Sequence, residues 1–214
     1  MKIRKYAAID IGSNAVRMLV ANVVEYEKKT IFLKNSLVRI PVRLGQDAFS
    51  EGKISEVNIK RIIKSMKAFK LLMKVHGVKD YLAFATSALR EAKNGSKVVE
   101  KVLEKSGIKI EIIDGKKEAK IISNTTIFDT ISKEKTFLYV DVGGGSTEFS
   151  VLIKGKRTYS KSFKIGTVRL LNDKVSDETW QAAEEWVNEH TQGHEKIYLL
   201  GTGGNINKLH KMAG

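Results

Sequence analysis

Hydrophobic positions along the chain alternate between two kinds of run. Residues 3–11, 16–24 and 30–44 are rich in Ile, Val and Leu and predict three consecutive strands. Over residues 55–76, Ile59, Ile62, Ile63, Met66, Phe69, Leu72 and Met73 recur at helical spacing, and Gly77 stands where such a helix would stop. A short strand is expected over 81–85, a helix over 96–105, a strand over 108–113 and a helix over 116–131. A second strand set follows at 136–141, 147–153 and 156–163. Helices are expected near 166–172 and 177–189, then a strand at 196–200 and a helix opening near Gly204. Strands alternating with helices predict α/β layers.

The two strand sets begin alike. Residues 7–14 read Ala-Ala-Ile-Asp-Ile-Gly-Ser-Asn, and residues 138–146 read Leu-Tyr-Val-Asp-Val-Gly-Gly-Gly-Ser. Each is an apolar strand, an Asp and a glycine turn, followed by a second strand-like run. Two related halves are therefore expected, 1–121 and 122–214. The only proline is Pro41 and no Gly/Ser-rich linker occurs, so the division must fall within regular structure.

The strongest chemical signal is Asp141-Val-Gly-Gly-Gly-Ser-Thr-Glu148. Gly143, Gly144 and Gly145 strip the side chains from a turn, so backbone N–H groups can approach a phosphate closely. Asp141 at a strand end can hold hydrated Mg2+, a hard cation that prefers oxygen. Ser146 and Thr147 can hydrogen-bond phosphate oxygens. The competing reading is a plain hairpin turn, which does not need three glycines flanked by two acids. Asp10-Ile-Gly-Ser-Asn14 by itself reads equally well as a plain turn or as a phosphate-binding one. Its echo of the triple glycine makes Gly12, Ser13 and Asn14 a second candidate cradle. In Leu199-Leu-Gly-Thr-Gly-Gly-Asn205 a strand runs into a loop whose Gly203 and Gly204 open a helix, and helix N-termini favour anions. A simple strand-to-helix connection is the alternative there.

Charge adds to this picture. The net charge of +14 attracts polyanions, although a basic balance also serves solubility. On the 55–76 helix, Lys60, Lys64, Lys67 and Lys74 share a side away from the apolar stripe; this is either a guide for a phosphate chain or a solvated face. The chain has no cysteine, which excludes disulfides and thiolate metal sites. No segment resembles a signal peptide, and no apolar run reaches the eighteen or so residues of a membrane span. A cytoplasmic protein without a membrane partner is expected. His190 and His194 are four apart, but Gly193 and Thr191 between them suggest a turn rather than a metal pair. No basic-aromatic module points to nucleic acid.

With these turns, two further stretches carry a resemblance. They are Ala85-Thr-Ser-Ala-Leu-Arg-Glu-Ala-Lys-Asn94 and Glu111-Ile-Ile-Asp-Gly-Lys-Lys-Glu-Ala-Lys-Ile121, and Arg43-Leu-Gly45 also fits. From about Tyr6 onwards the chain resembles the exopolyphosphatase/guanosine-pentaphosphate phosphohydrolase family, a branch of the actin, Hsp70 and sugar kinase superfamily. The resemblance implies an α/β fold of actin-like ATPase (ribonuclease H-like) architecture with two related domains. It implies hydrolysis of a terminal phosphoanhydride of polyphosphate or guanosine pentaphosphate, with Mg2+ or Mn2+. Glu118 matches the family's water-activating glutamate and Arg90 the arginine that meets the phosphate chain. Asp141 and Glu148, with Asp10, match acidic positions around the metal. Gly12, Ser13, Asn14 and residues 143–147 match the two walls of a phosphate cradle. A homodimer is among the assemblies the resemblance admits.

Two departures stand out. Lys117, beside Lys116, replaces the first of the two acids usual in the family's Gly-x-acid-acid-Ala segment, and the catalytic match falls on the second, Glu118. The chain also reaches Gly214 only one helix after the third glycine loop, so the second domain is expected to be incomplete. An actin-like ATPase or kinase is one alternative, and a polyphosphate or guanosine-tetraphosphate binding module without turnover is another.

Overall fold

Period-two alternation builds the first sheet. β1 (Lys2–Ile11) and β2 (Val16–Tyr26) pair antiparallel from Lys2↔Glu25 to Ile11↔Val16, so residues 12–15 form the hairpin turn. β3 (Lys29–Ile40) adds antiparallel to the outside of β2. Alternation places Ala7, Ile9, Ile11, Val16, Met18 and Val20 in the core. Helix α2 (Glu56–His76) contributes Ile59, Ile62, Met66, Phe69 and Met73 to it. The Ser55 hydroxyl accepts from the Asn58 N–H at its start, and Gly77 closes it at φ 67°. β4 (Asp80–Ala85) returns parallel to β1, and β5 (Glu111–Ile112) joins β4. Three more helices lie in this part of the chain: α1 (Leu44–Ser50), α3 (Ser87–Glu91) and α4 (Gly95–Ser106).

This computed structural model describes residues 2–27, 29–123, 132 and 134–213. The chain divides into two units, Met1–Ile113 and Asp114–Gly214. The second unit repeats the topology of the first. β6 (Thr136–Val142), β7 (Thr147–Ile153) and β8 (Lys156–Phe163) are consecutive antiparallel strands, and β9 (Ile197–Thr202) returns parallel to β6. The sheet orders are β3-β2-β1-β4-β5 and β8-β7-β6-β9. The helices are α5 (Gly115–Ser123), α6 (Thr167–Leu170), α7 (Asp177–Thr191) and α8 (Gly204–Ala213). Ala183 and Trp186 of α7 pack with Val151, Phe163 and Ile165, giving one face of the sheet its core.

Several expected boundaries move. The third strand stops at Ile40 rather than 44, because Pro41 has no N–H for the ladder and Arg43 turns left-handed at φ 62° to start α1. The short helices α1 and α3 were not anticipated. Residues 108–113 pair only over Glu111–Ile112, while Ile108, Ile110 and Ile113 fill the core. Of the helix expected over 116–131, α5 accounts for the part up to Ser123, and 124–131 lie outside the described residues. α5 packs on β8 and so goes with the second unit, whereas the sequence reading put it with the first.

Candidate active site

In the first unit the β1–β2 turn is closed by the Gly12 N–H donating to the Ala15 carbonyl at 3.1 Å. Two of its carbonyls are held from outside. The Gly45 N–H donates to Ser13 O at 2.7 Å and the Arg43 N–H to Asn14 O at 2.9 Å. The approach is so close that a Cβ on Gly45 would stand 2.7 Å from the Ser13 Cβ. Across a trans peptide, C=O and the next N–H point in opposite directions. With Ser13 O and Asn14 O turned inward, the N–H groups of Asn14 and Ala15 turn the other way.

The second unit builds the same device with more glycine. The Gly143 N–H donates to Ser146 O at 2.9 Å. The segment after β8 then holds all three glycine carbonyls. The Thr167 N–H donates to Gly143 O at 3.1 Å, the Val168 N–H to Gly144 O at 2.8 Å, and Arg169 Nε to Gly145 O at 2.6 Å. The N–H groups of Gly144, Gly145 and Ser146 therefore turn away from residues 167–169. Successive backbone N–H groups presented in this way make an anion-binding concavity. A Cβ on Gly166 would lie 2.4 Å from Gly144 O, so only glycine fits there.

The hydroxyls of these turns are engaged within the protein. Ser13 Oγ lies 2.9 Å from Ser87 Oγ. Ser146 Oγ donates to Glu148 Oε1 at 2.6 Å, and Thr147 Oγ1 donates to Ile165 O at 2.5 Å. Ser13, Ser87, Ser146 and Thr147 are all buried. The sequence reading gave Ser146 and Thr147 to phosphate oxygens. As folded, their hydroxyl protons shape the turn, and its outward donors are backbone N–H groups.

Asp141 and Glu148 are direct cross-strand partners on β6 and β7, which puts both carboxylates on one face. Glu148 is buried, and its Oε1 also accepts from Ser162 Oγ at 2.9 Å. Tyr139 stands on the same face, with its Oη 2.9 Å from Thr202 Oγ1. Burial pushes the Tyr139 phenol above its ordinary range; the Thr202 bond opposes this, and repulsion from Asp141 and Glu148 adds to it. In the first unit Asp10 faces Arg17 instead, at 3.6 Å, in the corresponding register. Among the described residues, no cluster of three or more His, Cys, Asp or Glu side chains forms a metal site. Mg2+ does not require one, because it commonly takes one or two carboxylates and completes its shell with waters and substrate phosphates. Asp141 and Glu148 fit that donor set.

Gly203, at φ 105°, brings the β9–α8 junction against the end of β6; a Cβ there would meet Val142 O at 2.6 Å. Gly204 is exposed, and a Cβ on it would meet nothing within 4 Å. Arg90 lies in α3, and its Nη1 donates to Ile113 O at 2.8 Å. Glu118 is half-buried in the first turn of α5, and its N–H donates to Asp114 O at 3.0 Å. Asp114 caps that helix, accepting from the Lys117 N–H at 2.7 Å. Beside it, Asp114, Lys116, Lys117, Lys120 and Ile121 line a cavity of about 480 Å3. Gly115, at the start of α5, stands against Ser162, the donor to Glu148. Lys60, Lys64, Lys67 and Lys74 are exposed on α2. His190 stacks on Trp186 at 4.5 Å and binds its carbonyl, a packing role.

Sequence reasoning missed Ser87 and residues 166–169. A signal was available: in each half the segment after the third strand carries Gly and Arg, as Arg43-Leu-Gly45 and Gly166-Thr-Val-Arg169.

A two-unit α/β protein with a backed glycine turn in each unit is the class this geometry defines. A model of the Ppx/GppA phosphatase family matches residues 23–206, and the chain belongs to that family. It is 34% identical, over 92% of its length, to a bifunctional 3-dehydroquinate synthase/phosphatase of Fusobacterium nucleatum, covering 32% of that protein. It is 26% identical to exopolyphosphatase 1 of Mycobacterium bovis over 92% of this chain and 53% of the relative. The crystal structure of a Ppx/GppA family member from Aquifex aeolicus matches with a TM-score of 0.73 at 26% identity, covering 99% of this chain and 70% of that one. The fold is the actin-like one. The chain spans about half the length of the mycobacterial relative and about a third of the fusobacterial one. Among the described residues, no helix is long and apolar enough to cross a membrane.

Proposed function

We propose that this protein is a phosphohydrolase that releases terminal orthophosphate from inorganic polyphosphate. The observation that carries the reading is the triple-glycine turn, whose three carbonyls are all held by residues 167–169. Its N–H groups supply the fixed dipoles that a transferring phosphoryl group needs. Exopolyphosphatase 1 among the relatives supports polyphosphate as substrate. Guanosine pentaphosphate ends in the same anhydride and is the natural comparison substrate.

In the second unit, Glu118 orients a water and takes its proton as the water oxygen attacks the terminal phosphorus. The bond from that phosphorus to the bridging oxygen breaks, and the shortened chain leaves with the bridging oxygen. In the first unit taken by itself, Arg90 and the turn at Gly12, Ser13 and Asn14 are a further set of phosphate-binding groups. Asp141 and Glu148 would hold Mg2+ or Mn2+, which when bound neutralises charge developing on the phosphate oxygens. The +14 net charge favours encounter with a long polyanion. Lys116, Lys117 and Lys120 extend that field beside Glu118.

The test is Mg2+-dependent phosphate release from long-chain polyphosphate and from guanosine pentaphosphate, comparing the 214-residue protein with its Glu118→Gln variant. The variant should lose about a hundredfold or more in rate, the scale of general-base catalysis. Equal release by the two proteins would remove Glu118 from the mechanism. Tight polyphosphate binding without any release would leave a binding module.

A further inference from the structure

Three peptides of the triple-glycine turn carry almost no conformational restraint of their own. Glycine reaches both signs of φ, so a peptide here can rotate and present its carbonyl oxygen where an N–H should stand. An oxygen in that place would repel a phosphate. The fold meets this with three donors from one short segment: the N–H groups of Thr167 and Val168 for the first two carbonyls, and the Arg169 side chain for the third. Arg169 is only 7% exposed, in a class of side chain that is rarely buried without a specific partner. Its Nε meets Gly145 O at 2.6 Å, so the third peptide is fixed by a charge-assisted bond.

We infer that Arg169 is a positioning residue for phosphate binding: by holding the Gly145 carbonyl inward, it keeps the Ser146 N–H turned to the anion. The inference rests on the reading of residues 143–146 as a phosphate cradle. Arg169 acts through the turn and does not itself touch the substrate.

The side chain of glutamine separates this lock from charge and packing. In Arg169→Gln the amide nitrogen falls at the chain position of Nε and can still donate to Gly145 O, although the charge is gone. In Arg169→Leu both donor and charge are gone. The measurement is calorimetric binding of tripolyphosphate with Mg2+ to the full 214-residue chain, with melting temperatures recorded in parallel. Arg169→Leu should bind about tenfold or more weakly, the scale of one lost charge-assisted bond, and Arg169→Gln should stay within about threefold of the wild type. Phe69→Leu, in the core of the first unit, should lower the melting temperature and leave the affinity unchanged.

If Arg169→Leu does not fold, Arg169→Met replaces it: its unbranched side chain fills more of the arginine's space and likewise has neither donor nor charge. Weakened binding with folding intact would uphold the lock. Unchanged affinity in Arg169→Leu, or in Arg169→Met where that stands in for it, would overturn the inference. So would equal losses in Arg169→Leu and Arg169→Gln, which would place the effect in charge. If the wild-type chain bound no tripolyphosphate, the cradle reading itself would fall, and this inference with it.

Discussion

Ser13 Oγ and Ser87 Oγ lie 2.9 Å apart in the core of the first unit, joining the β1–β2 turn to the start of α3. The Thr86 N–H reinforces the junction by donating to Ile11 O at 3.2 Å. Arg90 leaves the same short helix three residues later, and its Nη1 is tied to Ile113 O. The position of the arginine is thereby linked to the shape of the turn. Ser87→Ala would leave the Ser13 hydroxyl buried without this partner, at a cost of about 1–3 kcal/mol. The double variant Ser13→Ala/Ser87→Ala should cost less than the sum of the single changes. Urea unfolding of the four proteins measures the coupling, and strict additivity would show that the contact is energetically empty.

The glycines of the second unit divide sharply. A Cβ on Gly166 would meet Gly144 O at 2.4 Å, and one on Gly204 would meet nothing within 4 Å. Gly166→Ala must push the segment after β8 off the triple-glycine turn, so both stability and phosphate release should fall. Gly204→Ala should fold as well as the wild type or better, by up to about 1 kcal/mol, because alanine restricts the unfolded chain more than glycine. Thermal melts of the two variants decide the matter; similar losses in both would mean that the close approach at Gly166 is not what the turn depends on.

These two glycines also show what the sequence could reveal. The Asp-x-Gly signatures at Asp10 and Asp141 are local, so the repeated strand–turn–strand was legible from the residues alone, and with it the alternation of layers. The donors that hold the turns were not. Gly45 and the Gly166–Arg169 segment follow the third strand of each half, and Gly45 and residues 167–169 donate through space to carbonyls more than twenty residues earlier. The Gly and Arg that both segments share mark them as alike but do not say which carbonyls they reach. The hydroxyls beside the glycines suggest phosphate donors, whereas the fold directs Ser146 to Glu148 and Thr147 to the Ile165 carbonyl. Arg17 opposite Asp10, against Glu148 opposite Asp141, became meaningful only once strand register paired them.

That difference in pairing bears on the metal. Asp141 and Glu148 are two acids side by side, whereas Asp10 already has Arg17 at 3.6 Å. Asp141→Asn should therefore raise the Mg2+ concentration needed for half-maximal phosphate release by about tenfold or more, as loss of a carboxylate ligand predicts. Asp10→Asn should shift it less. Magnesium titrations of both variants test the ordering, and a larger shift for Asp10→Asn would move the metal to the first turn.

Tyr139 gives the second unit an alkaline sensitivity. Its phenol is raised mainly by burial; the Thr202 bond opposes the shift, and Asp141 and Glu148 reinforce it. The folded state thus keeps the phenolic proton at a pH where the unfolded chain, with an ordinary value of about 10, has released it. Protons bound only by the folded state make stability fall as pH rises. The contribution is fully present below about 10 and is lost as pH climbs through the raised folded value. Tyr139→Phe removes both the bond and the titration. At pH 7 the variant should be less stable by about 1 kcal/mol, the worth of one hydrogen bond. Between roughly pH 9 and 11, spanning the ordinary phenol value, the gap should narrow, because only the wild type meets the cost of ionising a buried phenol. Melting temperatures of the two proteins across this range would run parallel if Tyr139 did not titrate differently in the folded and unfolded states.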